Sequence, residues 1–389
     1  MSSLIVQPRA RLFHGHVWVY ALEIQKRLGD PKPGDVVRLQ DVRGKPLGSA
    51  IYNPKSQISA RLFSYRRQDL DLDLFTRRIE RAIKSREASG VDLNLCRLVW
   101  SESDGLPGVV VDRYGDFLVL QTLTLGMAQR QDMIVEALNN VLKPRGIIQR
   151  NEGAVRLAEG LEQVKGVISG ETPEPFVVRH QGSAFHADLI EGQKTGLYLD
   201  QLDNYQLVAK LARGRRVLDC FCNQGGFAQA AALAGASEVT AVDISESAVE
   251  VAKKNAAISG AKIDFVAENC FDFLKRQESA DARYDLIILD PPSFTKSKST
   301  VRDALRGYKE IHLRALKLLD KGGILSTFCC SHHATRELFL DNLIEAAVDA
   351  KKSLRLITEH TQRRDHPVLV TIPETSYLKG LTVEVIASR

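Results

Sequence analysis

Two adjacent cysteines, Cys329 and Cys330, precede Ser-His-His at the end of an apolar run that is typical of a buried strand. The carboxyl end of a parallel strand lies on the edge where open α/β sheets bind ligands. Neighbouring strand residues point to opposite faces, so at most one of the two thiols can address a cleft directly. A thiolate that adds to carbon 6 of a pyrimidine makes carbon 5 nucleophilic toward an electrophilic methyl group. The pair therefore suggests covalent chemistry on a pyrimidine; the alternative is a small buried hydrophobe.

The segment Leu-Asp-Pro-Pro-Ser-Phe places Asp290 at the end of another predicted strand. Each proline fixes φ and removes a backbone donor, which makes the turn rigid. Such a turn would hold the Asp290 carboxylate toward a planar substrate, although two prolines also simply end a strand. We take Asp290 as a catalytic and cofactor-binding candidate. The substrate-binding candidates are Pro291, Pro292, Ser293 and Phe294.

A third pattern is typical of a nucleotide site. Asp219 lies near a strand end, Gly225 and Gly226 follow in a turn, and a predicted helix begins there, so the backbone can approach a ligand at free N–H groups. The spacing is not the GxGxxG of dinucleotide sites. Asp243, 24 residues after Asp219, ends the next strand and is placed to accept hydrogen bonds from ribose hydroxyls. The ordered set favours an adenosine-type ligand over the alternative of a tight turn and a helix cap.

These groups need a parallel sheet to bring them together. From residue 215 onward, predicted strands alternate with predicted helices, the pattern of a doubly wound α/β domain with helices on both faces. The strands cover 215–221, 238–244, 262–269, 284–292 and 322–331, and the helices cover 225–236, 247–260, 271–277 and 301–319. Two further strands, 354–360 and 381–388, would add an antiparallel pair at the end of the sheet.

The N-terminal half has a different pattern. Short strands, one of them over 17–24, are separated by Gly- and Pro-containing turns and predict a β-rich domain over residues 1–70. An amphipathic helix over 72–89 leads into strands and a helix over 127–142, which together predict a central α+β domain over 71–182. This domain includes a hairpin with its turn at Tyr114 to Asp116. The α/β domain then occupies 183–389.

Composition narrows the class of protein. The six cysteines form no CxxC pair, which argues against a disulfide framework or a metal site. No apolar run reaches the roughly 20 residues of a membrane span, so we expect a cytoplasmic protein without membrane association. Residues 1–96 carry 17 Lys and Arg against 10 Asp and Glu, and the remainder carries 36 against 38. A basic N-terminal domain suits a polyanion partner such as RNA, although a merely solvated face is the alternative.

At the motifs the sequence resembles a known family, the bacterial and archaeal ribosomal RNA large-subunit methyltransferases that make 5-methylcytosine in 23S rRNA. The resemblance covers nearly the whole chain. It is carried by LFHGHVWVYALEI, PGDVVRL, SAIYNPKSQISARL, DGLPGVVVDRYGD, EGQKTGLYLDQLDN, LDCFCNQGGFA, LDPPSF and CCSHH. The run QKTGLYLDQ together with DPPSF and CSHH is specific; the glycine turn alone is not.

The resemblance implies an N-terminal PUA domain for RNA, a central α+β domain and a catalytic Rossmann-type domain that binds S-adenosyl-L-methionine. It implies that Cys330 is the nucleophile and that Asp290 hydrogen-bonds the cytosine edge. The partner would be 23S rRNA, and a homodimer is compatible with the sequence. The cofactor-binding candidates are Gln193, Lys194, Tyr198, Asp200, Gln201, Asp219, Phe221, Gly225, Gly226, Asp243, Ile244, Asn269, Cys270 and Asp290. One departure is Cys222-Asn223-Gln224, where many relatives carry Ser or Tyr-Thr, which puts a second thiol near the cofactor.

Three rival functions stay open at this point. An amine methyltransferase could use the DPPSF turn to orient a nucleobase amino group without a covalent step. An RNA-binding assembly factor could retain the basic domain and a vestigial pocket. An NAD-dependent dehydrogenase is disfavoured by the glycine spacing.

Overall fold

The chain divides into two compact units in the computed structural model, which describes residues 2–7, 9–192, 195–294, 301–331 and 333–388. The first unit comprises Met1–Phe176, Ala187–Leu199 and Arg364–Thr375. The second comprises Val177–His186, Asp200–Arg363 and Ser376–Arg389. The three domain boundaries expected from the sequence stay predictions. Within the described ranges, no helix combines the length and the apolar character that crossing a membrane requires.

A six-stranded sheet begins the first unit, with the strand order β2-β6-β5-β4-β1-β3. Its strands are β1 Ser3–Val6, β2 Trp18–Val19, β3 Ile24–Leu28, β4 Val36–Asp41, β5 Pro46–Tyr52 and β6 Ala60–Ser64, and a short helix α1 covers Ala10–Phe13. Alternate apolar residues such as Leu4, Val37 and Leu62 form a small core. The β-rich N-terminal fold is therefore confirmed.

One predicted strand, over residues 17–24, is interrupted. The Glu23 carboxylate is buried and accepts hydrogen bonds from the backbone N–H groups of Tyr20, at 2.7 Å, and Arg9, at 3.2 Å. These bonds bend the chain through a 3₁₀ turn at Ala21–Glu23, between β2 and β3. An acidic side chain that bonds to nearby N–H groups thus competes with the sheet ladder.

The second part of this unit is a five-stranded sheet of order β11-β10-β9-β8-β7, covered by helices. The elements are α2 Leu72–Ala88, β7 Leu95–Trp100, β8 Val109–Tyr114, β9 Phe117–Thr122, α3 Leu125–Ala128, α4 Gln131–Leu142, β10 Gly146–Asn151, α5 Ala154–Ala158 and β11 Val164–Gly170. The expected hairpin is present, and Gly115 adopts a φ of 61° in its turn. The single helix expected over 127–142 is instead the pair α3 and α4.

The second unit holds a two-stranded sheet, β12 Phe176–His180 and β13 Ser183–Ala187, and a seven-stranded sheet. The seven strands are β14 Arg216–Cys220, β15 Glu238–Asp243, β16 Asp264–Ala267, β17 Tyr284–Leu289, β18 Leu319–Cys329, β19 Lys352–Thr361 and β20 Lys379–Ser388. Their order is β16-β15-β14-β17-β18-β20-β19, with β20 antiparallel to both neighbours. The Rossmann-type sheet with its antiparallel end pair is therefore confirmed.

In the described part of the chain, six α-helices accompany this sheet: α6 Leu202–Ala209, α7 Gly226–Leu233, α8 Glu246–Ser259, α9 Cys270–Ser279, α10 Val301–Lys317 and α11 Arg336–Asp349. Successive residues of a strand point to opposite faces of the sheet and pack in two different cores. Leu218 and Ile287 pack with α9, α10 and α11, whereas Val217 and Ile288 pack with α6 and α7. Both faces are covered, which explains why the strands read as continuous apolar runs.

Arg86 on α2 is the largest fully buried side chain of the first unit. Its guanidinium donates to Asp104 at 2.6 and 2.7 Å and to the carbonyl oxygens of Arg97, at 3.0 Å, and Asp365, at 2.9 Å. The side chain thus ties α2 to β7 and to two distant segments of the same unit. Removing one partner of a buried ion pair leaves an uncompensated charge, and this costs about 3–5 kcal/mol.

We expect Arg86→Met to lower the free energy of unfolding of the first unit by about that amount. The matched control on the same helix is Arg77→Met, because Arg77 pairs with Asp73 on the exposed surface, where a pair contributes about 0.3–0.5 kcal/mol. Urea unfolding followed by tryptophan fluorescence reads this unit selectively, since both tryptophans, Trp18 and Trp100, belong to it. Equal losses in the two variants would contradict the prediction.

Candidate active site

The candidate chemical groups of the second unit follow the carboxyl ends of adjacent parallel strands. In the ladder, Cys220 at the end of β14 pairs with Val242 of β15 and Leu289 of β17. The residues that come next along each strand are therefore neighbours at one edge of the sheet. This arrangement places Phe221, Asp243 and Asp290 side by side.

The turn after β14 has an unusual backbone. Phe221, Asn223 and Gly225 have left-handed φ values of 64°, 46° and 78°, and α7 starts at Gly226. A Cβ at Gly226 would lie 2.4 Å from the Tyr205 ring, so this position needs glycine. The sharp turn directs the first N–H groups of α7 toward the sheet edge, where a ligand can reach them.

Asp243 is fixed by backbone donors. Its Oδ2 accepts the N–H of Asn223 at 2.9 Å, and its Oδ1 accepts the N–H of Ser245 at 2.9 Å. Each carboxylate oxygen can still accept a further hydrogen bond from a ribose hydroxyl. The next residue, Ile244, is apolar but 68% exposed. An exposed apolar side chain beside this carboxylate suits contact with the face of an adenine.

Asp219 is buried beneath the turn. Its Oδ2 accepts the N–H of Ala228 in the first turn of α7, at 3.0 Å. Its Oδ1 is buried without a hydrogen-bond partner among the described residues. Burial raises the pKa of Asp219 well above its ordinary value, and the nearby charges of Asp290 and Asp243 raise this pKa further. An unsatisfied buried carboxylate beside two others is an environment that a cationic ligand group would relieve.

Asn269 and Cys270, two of the predicted cofactor-binding residues, have structural partners. Asn269 caps α9, because its Oδ1 accepts the N–H of Phe271 at 2.9 Å. The Cys270 thiol points inward: it accepts the N–H of Phe221 at 3.2 Å and faces the carbonyl oxygen of Val242 at 3.6 Å. The Cys270 side chain therefore supports the glycine turn from below, and the cofactor roles of both residues stay predictions.

Cys222 is the additional thiol noted in the sequence. It is buried, and burial together with the charges of Asp219 and Asp243 raises the pKa of its thiol well above the usual value. A neutral, buried thiol is a poor nucleophile. Cys222 therefore packs as a small apolar residue against α7.

The Asp-Pro-Pro turn combines buried and exposed residues. The Asp290 carboxylate accepts a hydrogen bond from Gln201 Nε2 at 3.0 Å. Pro291 is buried, whereas Pro292 and Ser293 are exposed.

Phe294 packs against Tyr308, with ring centroids 4.8 Å apart, and also contacts Phe271. Phe294 is thus an anchor for the turn, and Asp290, Pro292 and Ser293 are the members that a ligand could contact.

Distant segments hold Gln201 and Asp200 in place. Gln201 Oε1 accepts from Asn204 Nδ2 at 2.7 Å, and Asp200 Oδ2 accepts from the Tyr377 hydroxyl at 2.7 Å. Sequence reasoning missed Asn204 and Tyr377, and no local spacing signals Tyr377, which lies 177 positions beyond Asp200. Tyr198 is half-buried. Gln193 and Lys194 lie outside the described residues.

The two cysteines at the end of β18 have different surroundings. Cys329 is fully buried in the apolar cluster that contains Tyr308 and Phe339. Cys330 follows the strand and is half-buried at its end. Burial raises the pKa of Tyr308, and negative charge on Cys329, Cys330 and Asp290 would raise it further, so these groups share one neighbourhood. Position thus favours Cys330 over Cys329 as the thiol that a substrate could reach. His332 lies outside the described residues.

Residues 161–380 match the sequence profile of the S-adenosylmethionine-dependent methyltransferase family, and residues 7–65 match that of a PUA-like domain. Among curated proteins, the chain is 39% identical to ribosomal RNA large subunit methyltransferase I of Erwinia tasmaniensis over 96% of each chain. It is 40% identical to the protein of the same name from Aeromonas hydrophila, over 98% of each chain.

Two solved structures share the fold across the whole chain. A candidate SAM-dependent methyltransferase from Streptococcus mutans has a TM-score of 0.85 at 23% identity, covering 99% of this chain and all of the other. A candidate methyltransferase complexed with SAH has a TM-score of 0.86 at 23% identity and the same coverage. At this identity the likeness supports the fold alone.

We expect Asp219→Asn to weaken the binding of S-adenosylhomocysteine by about tenfold or more, because a charge-assisted hydrogen bond contributes about 1.5–3 kcal/mol. Isothermal titration calorimetry at pH 8 measures this affinity. Unchanged affinity would exclude Asp219 from the cofactor site.

The same variant tests the raised pKa of Asp219. A carboxyl whose pKa is higher in the folded state contributes stability below its unfolded value of 3.8, and that stability is lost as the pH rises through the folded value. The ligand-free wild type should therefore gain stability relative to Asp219→Asn as the pH falls from 8 toward 5. Urea unfolding followed by circular dichroism checks the trend, and a pH-independent difference would contradict it.

Ile244 offers a separate test of the adenine contact. Full burial of an isoleucine contributes about 1.5–3 kcal/mol, so Ile244→Ser should weaken S-adenosylhomocysteine binding by roughly tenfold. The matched control is Val348→Ser on α11, a residue of the same unit that is 67% exposed. The unfolding midpoints of both variants should stay close to the wild-type value. A control that loses affinity equally would refute the assignment.

Proposed function

Because the chain belongs to the family of S-adenosylmethionine-dependent methyltransferases, we propose that it methylates carbon 5 of a cytosine in large-subunit ribosomal RNA through a covalent adduct with Cys330. The observation that carries this proposal is the half-buried thiol of Cys330 at the edge of the sheet, in the neighbourhood of Asp290. A methyl transfer to an amine or to a ribose hydroxyl does not need such a thiol.

The residues of the glycine turn fit the cofactor. The Oδ1 of Asp219 has no hydrogen-bond partner among the described residues and can accept one from the cofactor, Asp243 is set to accept ribose hydroxyls, and Ile244 offers an apolar face. The clustered carboxylates favour a ligand that carries positive charge. S-adenosylmethionine, when bound, supplies an electrophilic methyl group on a sulfonium centre.

Two observations support a ribosomal RNA substrate. The curated relatives, which match over nearly the whole of both chains, are named ribosomal RNA large subunit methyltransferase I. The PUA-like region, residues 7–65, lies in the N-terminal part of the chain that has the surplus of Lys and Arg. Positive charge at that surface would bind the phosphate backbone without reading sequence. We take the N-terminal PUA-like domain as the part that binds RNA.

The chemical step begins at Cys330. Its thiolate adds to carbon 6 of the cytosine, and the electron pair of the ring double bond then becomes available at carbon 5. Carbon 5 takes the methyl group from the sulfonium sulfur, the bond between that sulfur and the methyl carbon breaks, and S-adenosylhomocysteine is left. A base removes the proton from carbon 5, the double bond re-forms, and the bond between Sγ and carbon 6 breaks, which restores the thiolate. Asp290, held by Gln201, is placed to hydrogen-bond the cytosine edge during addition.

The target base must leave its stack to reach this edge of the sheet. Ring carbons are inaccessible inside a helix, and enzymes that modify them accept or extrude an unstacked nucleotide. The exposed Pro292 and Ser293 are the part of the turn available to contact such a base. Phe294 keeps that turn fixed through its contact with Tyr308.

We expect Cys330→Ala to abolish methyl transfer to ribosomal RNA from cells that lack this protein and to leave S-adenosylhomocysteine affinity unchanged. The matched control is Cys329→Ala, which removes the neighbouring buried thiol and should keep activity. Product is measured by tritium transfer and by mass spectrometry of nucleosides, with 5-methylcytidine as the expected species.

RNA that contains 5-fluorocytidine tests the covalent step itself. With fluorine at carbon 5, no proton can leave after methyl transfer, so the bond to sulfur persists. The wild type should form an adduct that survives denaturing electrophoresis, and Cys330→Ala should not. Full methyl transfer by Cys330→Ala would overturn the covalent scheme and would favour an amine or hydroxyl target. No transfer to any RNA by the wild type would overturn the proposed activity.

A further inference from the structure

Lys379 contacts the turn that carries Cys330. This lysine is the first residue of β20 and lies directly opposite Cys329, the last residue of β18, in the antiparallel ladder. Its Nζ donates a hydrogen bond to the carbonyl oxygen of Ser331 at 2.6 Å. Ser331 is buried and immediately follows Cys330. The ammonium group therefore binds the backbone one residue beyond the proposed nucleophile.

The charge of Lys379 has an unusual environment. The side chain is half-buried, and within the described ranges no carboxylate lies within ion-pairing distance of it. Burial lowers the pKa of Lys379, and negative charge on Cys329 or Cys330 would raise it. A partly desolvated ammonium without a carboxylate partner costs free energy unless an anion forms nearby. The two thiols are the groups in its surroundings that can become such an anion.

We propose that Lys379 is a positioning residue that holds the Cys330 turn and stabilises the thiolate of Cys330. This inference rests on the proposed function, in which Cys330 attacks a pyrimidine. The ammonium lowers the free energy of the thiolate relative to the thiol, so a larger fraction of the protein carries the reactive form at neutral pH. The contact with Ser331 holds the ammonium group at the backbone of the residue that follows Cys330.

Other ionisable groups around this turn act differently. Asp290, which follows β17, shares the neighbourhood of Tyr308 with Cys330, and a negative charge on its carboxylate would oppose the thiolate. Tyr308 of α10 stays neutral because burial raises its pKa. Burial lowers the pKa of His312 on α10 and of His360 on β19 to about 4, so both rings are neutral near pH 7. His333 follows the turn, and its N–H bonds to the Ser331 hydroxyl at 3.3 Å.

The test measures the Cys330 thiolate directly and in the absence of RNA. The full chain reacts with iodoacetamide at a series of pH values, and mass spectrometry of the peptide containing Cys330 gives the rate at each pH. An opposite charge within about 4–6 Å shifts a pKa by roughly 1–3 units. Lys379→Met should therefore move the midpoint of this profile upward by at least about one unit, which reduces the rate at pH 7 about tenfold.

Two further variants test whether the charge of Lys379 causes the shift of the Cys330 profile. Lys379→Arg keeps the charge and should keep the wild-type midpoint. Lys352→Met is the matched control, because Lys352 on β19 donates to the carbonyl oxygen of Leu319 at the opposite end of β18, at 2.9 Å, in the same kind of lysine-to-backbone contact. It should leave the Cys330 profile unchanged. A Lys379→Met profile that coincides with the wild type would overturn the inference.

The midpoint of the wild-type alkylation profile tests the inference even if Lys379→Met does not fold. A midpoint below the ordinary cysteine value of about 8.5 supports the inference, and a midpoint at or above that value overturns it. Methyl transfer gives a separate reading: Lys379→Met should lose about tenfold in kcat at pH 7 and recover at high pH. If Cys330→Ala keeps full activity, the proposed function fails, whereas the alkylation profile still reports on the effect of Lys379.

Discussion

The parallel hydrogen-bond ladder of β15, β14, β17 and β18 determines where the second unit can bind ligands. Because these strands run in the same direction, their carboxyl ends meet at one edge, and the chain must turn there before each helix. Asp243, the glycine turn, Asp290 and Cys330 all follow strands of this ladder. A change of register by one residue would direct the strand side chains to the opposite faces and dissolve both cores.

Burial has opposite effects on the charged groups at this edge. It raises the pKa of Asp219 and of the Cys222 thiol, and it lowers the pKa of Lys379. Each of these groups is therefore less stable in its charged form than it would be in water. In the proposed mechanism, a bound cation near Asp219 and a thiolate near Lys379 would each recover part of that cost. Ligand binding and thiolate formation would then both relieve unfavourable electrostatics.

The hydrogen-bond partners of the site residues connect distant parts of the chain. Gln201 bonds to Asp290, 89 positions away, and Lys379 bonds to Ser331, 48 positions away. The antiparallel β20 makes the second contact possible, since it returns the chain along β18 in the opposite direction. The terminal strand pair is therefore more than an edge of the sheet: it brings a basic residue to the end of β18.

Sequence patterns alone predicted the alternation of strands and helices, the β-rich N-terminal part and the strand ends that carry Asp219, Asp243, Asp290 and the two cysteines. These features depend on local periodicity, on the positions of proline and glycine, and on the residues next to strand ends. Each of these signals lies within a few consecutive residues. Sequence patterns did not predict the break at Glu23, where side-chain hydrogen bonds interrupt a strand. They also did not predict the division between α3 and α4, where the backbone geometry interrupts a helix. The folded chain was needed to show that Cys329 is buried and Cys330 half-buried, that Cys270 points inward, and that Lys379 contacts the Cys330 turn. Burial and long-range hydrogen bonds arise from packing between segments that are far apart in the chain, and no spacing within one segment encodes them.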